Sequence, residues 1–496
     1  LGTLSTTGFY IAPAGFSPVG TFTAVVTATS LADSTKTATS ALSVVYPNTN
    51  NTTQTALPIK LGSVGGNPLD VTPPGAVKPG CCIGTLGSRI ARGTAPFILS
   101  NNHVLARSGQ GVNGEAINQT ASCGGGTTVG NLTAQSVLKP TANDAAGCVQ
   151  PTTATLCGAA PDNVDAAIAS TTDANTDAAG TILELGAATA TAIGDLPPSS
   201  NLGTPSIGLA VAKSGRTTGL TCSSIESISG NIAVDYDNAC GGTTAFQAHF
   251  SNQIMVTGGN FIEAGDSGSL LVTQASAEPL GLLYASGGTN SVANPITEVI
   301  AKLVAHTSAG LAFAAGNPDH PVSCQATVVI PPNSAKVGAS SATLNAQQRT
   351  LANAARDKHA SALMGDEAVR SVSVGASADN PKEAAVVIEI SKATRQPIPA
   401  VVDGVRTRVV YTAGATINSD LSEQAVQSTI NVKDAHVNEY FGKQGIRGVA
   451  VGRSTDNPAE TAIIFYTTVG VTNAMIPPVI DGVRTRVIEG TPFHAR

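Results

Sequence analysis

The pentapeptide Gly265-Asp266-Ser267-Gly268-Ser269 lies downstream of His103, in Ser-Asn-Asn-His-Val-Leu-Ala, and of Asp165, in Asn-Val-Asp-Ala-Ala-Ile-Ala. A serine hydroxyl is a poor nucleophile on its own. An imidazole must take its proton, a carboxylate must hold that imidazole in the right tautomer, and backbone N–H groups must receive the developing oxyanion. These residues supply all three parts, in the chain order His, Asp, Ser, and the chemistry they point to is acyl transfer with Ser267 as nucleophile, His103 as base and Asp165 as its orienter. Gly265 and Gly268 admit backbone conformations that other residues resist, and the N–H groups of Gly265 and Ser267 can converge on one oxyanion. Asp266 reads as a structural residue. The reaction calls for no cofactor, and no metal-ligand spacing accompanies it.

The surroundings of each residue fit these roles. His103 follows the apolar run Ala95-Pro-Phe-Ile-Leu-Ser and precedes Val104-Leu105-Ala106, which sets it at a strand's end rather than on a solvated loop. Asp165 precedes the apolar strand Ala-Ala-Ile-Ala, where a lone carboxylate is costly unless hydrogen-bonded, and an imidazole N–H would satisfy it. Asp162 is the competing carboxylate, but it follows Pro161 and reads as a turn residue.

At 496 residues the chain exceeds what one hydrophobic core sustains, so several domains are expected. It is 42% hydrophobic and 12% charged, with 52 Gly and no Trp, a globular composition that favours short strands joined by many turns. A net charge of −6 without a Lys/Arg run gives no footprint for nucleic acid or an anionic membrane, and leaves a peptide substrate compatible. No apolar stretch reaches the roughly 18 residues of a membrane span. The eight Cys show no zinc spacing and read as disulfides of an oxidising compartment, with Cys148–Cys157 and Cys222–Cys240 expected as local bridges. Location outside the cell, secreted or at its surface, follows from that reading. No signal peptide opens the sequence, and Leu1 is not an initiator Met, so it reads as a processed or truncated piece.

Residues 1–46 alternate apolar and polar positions on either side of the turn Ala32-Asp33-Ser34-Thr35-Lys36, the pattern of a β-hairpin. The polar, turn-prone stretch 47–57 reads as a linker. From 58 to 316 short β-rich runs alternate with Gly-rich turns. A helix then opens at Asn294-Pro295, with Asn294 as its cap and Ile296, Val299, Ile300, Leu303 and Val304 at helical spacing. A second linker, 317–342, leads to an internal duplication. His359, Gly375 and Asp379-Asn380-Pro381 recur as His436, Gly452 and Asp456-Asn457-Pro458, and Ile398-Pro-Ala-Val-Val-Asp-Gly-Val-Arg-Thr-Arg-Val recurs from Ile476. The two modules, 343–412 and 419–491, each read as helix, strand, strand, turn, strand, with helices near 344–364 and 421–442. Two copies are too few for a solenoid, and a pair of small α+β modules packing on each other or on the preceding domain is expected.

The chain from about 57 to 316 resembles the chymotrypsin-like (trypsin-fold) serine endopeptidases of the bacterial branch. The likeness rests on Gly84-Thr-Leu-Gly-Ser, Ile98-Leu-Ser-Asn-Asn-His-Val-Leu-Ala, Val164-Asp-Ala-Ala-Ile, Lys213-Ser-Gly-Arg-Thr-Thr-Gly-Leu-Thr, Gly265-Asp-Ser-Gly-Ser and Gly281-Leu-Leu-Tyr-Ala, in that order. It implies a mainly β fold of two six-stranded antiparallel β-barrels with a C-terminal helix, the site lying between them. It also implies hydrolysis of peptides through an acyl-enzyme, with His103, Asp165 and Ser267 as triad and the Gly265 and Ser267 amides as oxyanion hole. Residues around Thr7–Ala14 resemble the middle of a bacterial immunoglobulin-like repeat, which makes 1–46 a partial sandwich. The alternative is a protease fold that is catalytically silent, or latent under its tail, and serves in surface binding or assembly.

The resemblance places the floor of the substrate pocket at Phe261 and its wall at Tyr284, Ala285, Ser286 and Gly287. With Phe rather than Asp at the floor, small or apolar side chains are favoured over Arg or Lys. Glu263 reads as solvated. No Ile-Val-Gly-Gly start opens the domain, so activation by such a cut is not expected. In the tail, alternation puts Arg406 with Arg408, and Arg484 with Arg486, on one strand face. These pairs read as an exposed face balanced by local Asp or Glu, with a grip on a carboxylate or neighbouring chain as the alternative. His359 and His436 lack partners at metal-ligand spacing.

Overall fold

The computed structural model describes residues 1–46 only where they form strands, and the chain from residue 51 onward except 54, 71–82, 120–124, 139–161, 190–191, 238–243, 259–260, 308–309, 314–316, 325–345, 413–419, 444, 471–475 and 496. The N-terminal strands are β1 (Thr3–Leu4), β2 (Tyr10–Ile11), β3 (Gly20–Thr29) and β4 (Thr37–Tyr46). β3 and β4 pair antiparallel from Gly20↔Tyr46 to Thr29↔Thr37, as their alternation predicts.

The central region begins with β5 (Ser63–Gly65), β6 (Gly84–Leu86), β7 (Ser88–Arg92), β8 (Ala95–Ser100), the one-turn helix α1 (Asn102–Leu105), β9 (Ala116–Gln119), β10 (Thr127–Gln135) and β11 (Ala167–Ser170). Next come β12 (Ile182–Thr189), β13 (Ala192–Leu196), β14 (Ala210–Gly215), β15 (Gly219–Asp237), β16 (Thr244–Thr257), β17 (Leu270–Thr273), β18 (Pro279–Ser286) and β19 (Asn290–Pro295). Helix α2 (Ile296–Thr307) and β20 (Ala312–Phe313) close it.

Six strands form a first sheet in the order β20-β7-β8-β11-β10-β9. Six more, β14-β17-β18-β19-β16-β15, close into a ring because β14 also pairs with β15. The two sheets share a core: Ile90, Leu99 and Ile168 of the first cluster with Leu270 and Leu282 of the second. Helix α2 adds Ile296, Val299 and Leu303 to the same core, the face its apolar spacing predicts. Asn294 differs from expectation. It does not cap this helix but lies in β19, paired with Leu282, and its side chain turns to the site described below.

The disulfide expectation is corrected. Cys222 bonds to Cys324, with Cα atoms 5.9 Å apart. The physical reason is strand length. Cys222 stands near the start of β15, about 50 Å of strand from its far end at Asp237 at a β rise of roughly 3.3 Å per residue, so its neighbours are not those of that far end. The segment after α2 instead returns beside Cys222, with Val322 N donating to Gln274 O at 2.9 Å and Gln274 Nε2 to Ser223 O at 3.2 Å. The Cys148–Cys157 pair lies outside the described residues.

The duplicated tail has α3 (Ala346–Met364), β21 (Val369–Ala376), β22 (Ala384–Ile390), β23 (Val401–Val402) and β24 (Val405–Tyr411), then α4 (Glu423–Tyr440), β25 (Ile446–Arg453), β26 (Thr461–Thr468), β27 (Val479–Ile480) and β28 (Val483–Gly490). Both copies follow the expected order of elements. Their short hairpins turn on Asp403-Gly404 (φ 48° and 78°) and Asp481-Gly482 (φ 47° and 82°), the positive pair a two-residue turn requires.

The expected exposed arginine face is corrected for Arg406 and Arg484, both only 2% exposed. Each reaches the other copy. Arg406 Nη1 donates to Thr485 O at 2.6 Å and Arg484 Nη1 to Thr407 O at 2.8 Å, while each Nε pairs at 2.6 Å with a glutamate of its own copy, Glu383 and Glu460. Asp379 and Asp456 cross over likewise, accepting from the Ser454 and Ser377 hydroxyls. The repeats thus clasp by pseudo-twofold exchange. The second copy also continues the ring, since β25 pairs with β15 at Ser227↔Gly452 and Ile232↔Gly448. A last strand, β29 (Phe493–Ala495), follows it.

Candidate active site

The turn carrying Ser267 is set by close backbone packing. Thr85 N donates to Ser267 O at 2.8 Å, and Thr85 Oγ1 donates to Gly265 O at 2.9 Å. A Cβ on Gly87 would lie 1.8 Å from Gly268 O, so the Gly84-Thr-Leu-Gly motif is the surface against which the turn is pressed. Gly265 and Gly268 take φ of +101° and +94°, which side-chain-bearing residues rarely adopt. The amides of Asp266, Gly268 and Ser269 are taken by Glu263 O, Leu283 O and Asp266 O. Ser267 is buried, and its Oγ donates to Tyr284 O at 3.2 Å.

His103 stands on α1, immediately after the buried strand β8. Its Nδ1 is 2.5 Å from Asp165 Oδ2, and its backbone N donates to Asp165 Oδ1 at 3.2 Å. Asp165 is fully buried and further held: Tyr236 OH donates to Oδ2 at 2.9 Å, and Asp165 N donates to Asn294 Oδ1 at 2.9 Å. Burial, then the Asp165 charge, push the Tyr236 hydroxyl well above the usual phenol range, so it remains a donor. Asp162 lies elsewhere, accepting from Val137 N at 2.7 Å with Lys302 Nζ at 3.6 Å. The Ser267 turn and α1 meet across Gly84, whose missing Cβ would contact Val104 Cγ2 at 2.4 Å and Ser267 O at 3.0 Å.

Asp266 turns away from this surface. Thr217 N, Thr218 N, Thr218 Oγ1 and Glu263 N all donate to its carboxylate, and Lys213 Nζ lies 3.2 Å away, both side chains fully buried. Burial alone would raise Asp266, but Lys213 and these hydrogen bonds outweigh it and hold the carboxyl below its usual range. Burial draws Lys213 down, against the opposing pull of Asp266. An ion pair this deep is sustained only by such full hydrogen bonding.

The expected pocket residues divide. Phe261 packs in an apolar cluster with Val211, Ile225, Ile254 and Leu283. Tyr284 is buried against Phe250 in another, its hydroxyl lacking a hydrogen-bond partner among the described residues. Ala285 and Ser286 are paired, antiparallel, with Ala495 and His494 of β29, and Gly287 lies against Phe493. Glu263 is exposed, as expected. Sequence reasoning missed Tyr236, Asn294 and the role of Lys213. Only Lys213 had a signal, at the head of the Lys-Ser-Gly-Arg-Thr-Thr-Gly run. Among the described residues no group of three or more His, Cys, Asp or Glu is arranged to hold a metal, and no helix is long and apolar enough to cross a membrane.

No protein-family model and no curated protein matches the sequence. Solved structures similar to it are serine proteases. A glutamic-acid-specific serine protease that uses a histidine triad in substrate binding is 16% identical, over 49% of this chain and 96% of its own, with a TM-score of 0.32. An α-lytic protease homologue, N4, is 15% identical over 52% and 99%, with a TM-score of 0.31, and the Cellulomonas bogoriensis chymotrypsin is 16% identical over 44% and 86%, with a TM-score of 0.27.

Proposed function

We propose that the chain is a serine endopeptidase working through an acyl-enzyme. The observation that carries the reading is the 2.5 Å pairing of His103 Nδ1 with the buried Asp165 carboxylate, beside a glycine-flanked serine turn. In this reading Asp165, itself held by Tyr236, fixes the imidazole through Nδ1, and Nε2 acts as base. Ser267 Oγ attacks the scissile carbonyl carbon as its proton passes to His103 Nε2, and the Gly265 and Ser267 amides receive the oxyanion. His103 then gives that proton to the departing amine as the C–N bond breaks, and water, deprotonated by the same imidazole, cleaves the ester and restores Ser267.

Lys213 supplies the cation for Asp266 from within the chain, which supports a turn that forms on folding and needs no new N-terminus. The site lies where β8 and α1 of one six-stranded unit meet the β17 turn of the other, and we read these units as the two barrels of the trypsin fold. The Cys222–Cys324 bridge fits an extracellular protein, with residues 1–46 as a partial immunoglobulin-like module. Phe261, rather than an Asp, at the pocket floor that the resemblance implies supports small or apolar side chains at the scissile residue.

Fluorophosphonate labelling tests the reaction. Wild type is expected to take up one equivalent and Ser267→Ala none; labelling that survives the substitution, or none under any condition, overturns the reading.

A further inference from the structure

The tail strand β29 lies where a substrate would. β17 runs beside β18 as far as Leu270↔Leu282, and Ser269 O and Gly268 N still bond Leu283 before the chain turns at Gly268 to present Ser267. The next stretch of β18 is thereby left by its neighbour, while β19 still covers the other side at Ala285↔Val292 and Ser286↔Ser291. An edge of this kind takes an added strand. Here β29 takes it, antiparallel, at Ala285↔Ala495 and Ser286↔His494, and pairs on its far side in parallel with Val234 and Asp235 of β15.

The polarity is that of a substrate. A serine nucleophile attacks the carbonyl at the C-terminal end of the segment it acylates, so that segment must run toward Ser267. Each step along β29 from His494 to Ala495 is a step back along β18 from Ser286 toward Tyr284, whose carbonyl accepts the Ser267 hydroxyl. The strand is also anchored. Phe493 is 2% exposed in a cluster with Tyr236, Phe250 and Tyr284, its ring is 5.8 Å from that of Tyr466 at 70°, and a Cβ on Gly287 would come within 2.5 Å of it. Tyr466 belongs to the second repeat, so the same repeat that extends the ring also holds the strand in place.

We infer that Phe493–Ala495 is an internal pseudosubstrate: the chain's own tail occupies the β18 edge that an incoming peptide must take, and the full chain is latent toward peptides until that strand leaves. The inference rests on Ser267 being the nucleophile, as proposed above. It ties the latent state to three residues and makes the Phe493 site the one that accepts an aromatic side chain on the acyl side of a bound peptide.

The test compares the full chain with Phe493→Asp and, separately, His494→Pro, which removes a strand amide. Three readouts are taken: kcat/KM on a panel of short chromogenic peptides, the fluorophosphonate labelling rate, and amide hydrogen exchange over residues 284–287. Both variants are expected to raise kcat/KM and the labelling rate at least tenfold and to speed exchange over 284–287, while Phe493→Tyr stays latent. A capped Thr-Pro-Phe-His-Ala peptide added to Phe493→Asp should restore protection and inhibit competitively, which a merely damaged variant would not show. Equal hydrolysis and labelling in wild type and variants, or unchanged exchange, overturns the inference and leaves the protease reading standing. Faster exchange with no labelling of any form overturns the protease reading, and the pseudosubstrate with it.

Discussion

The two tail repeats are built from the same pattern yet end differently, and the difference lies at one strand edge. The first closes a four-stranded sheet of its own, β21-β22-β24-β23, whereas the second repeats that order as β25-β26-β28-β27 and joins it to β15. The edge strands decide. Val369-Arg-Ser-Val-Ser-Val-Gly is mostly half-buried, with Arg370 and Ser373 exposed, while Ile446-Arg-Gly-Val-Ala-Val-Gly is largely buried. Where the first copy has Ser371 and Ser373, the second has Gly448 and Ala450, and a Cβ on Gly448 would already be 2.7 Å from Ile232 Cδ1. One hydroxymethyl group and one hydroxyl thus separate a free edge from one that docks, because a docked edge must admit the neighbouring side chains as well as supply hydrogen bonds.

The sharpest way to break this comparison is at the clasp, where the copies are equivalent. Arg406→Met and Arg484→Met each leave buried carbonyl and hydroxyl acceptors without donors, and each is expected to cost about 2–3 kcal/mol in urea unfolding. Equal losses would support the pseudo-twofold clasp, and a loss in only one would break it. A smaller and unequal effect is expected from Gly452→Ala and Gly375→Ala. The new methyl at 452 would lie 2.7 Å from Glu226 O and 2.4 Å from Ile464 Cδ1, but at 375 it meets only Val387 Cγ2 at 3.0 Å. The first change should destabilise by about 1–3 kcal/mol and the second by a few tenths, read from thermal unfolding.

Titration separates the copies more finely. Burial, then the nearby Asp379 charge, push the Asp456 carboxyl up to about 6. A carboxyl raised on folding stabilises the folded state when protonated, so its contribution is present below the unfolded value near 4 and lost as pH rises through about 6. Stability of the clasp should therefore fall between pH 4 and 6, and Asp456→Asn should flatten that slope in denaturation curves. The smallest effect concerns the partly exposed His436. Hydrogen bonds from its ring to Asp481 at 2.8 Å and Glu439 at 3.0 Å raise its pKa, so its NMR titration should lie above that of a free imidazole and move down in Asp481→Asn.

What was legible in the sequence follows the range of the interactions. Helix α2 was legible because its apolar spacing is local, and the hairpin turns because Asp-Gly carries its own backbone preference. His103, Asp165 and Ser267 stand out because the chemistry proposed for them demands those residue types in recognisable surroundings, and the structure pairs the first two. Tyr236, Asn294 and Cys324 did not, since each acts on a residue far away in sequence and nothing in its neighbours marks the meeting. Arg406 and Arg484 were misread for the same reason: alternation assigns a face, while the other copy that covers the face is invisible to it. A three-residue strand such as β29 carries no periodicity at all.

The disulfide and the docked edge together fix what a single break in the chain would do. Cys324 ties the segment after α2 to β15, and the repeats return to β15 by hydrogen bonding through β25. A cut anywhere between Cys324 and Ala346 would separate the polypeptide into two, yet each product would keep its own attachment to the same strand. The pieces would then leave one another as partners in a complex do, at a rate set by dilution and affinity, and under the proposed pseudosubstrate role of β29 a nicked preparation would gain activity with time and dilution.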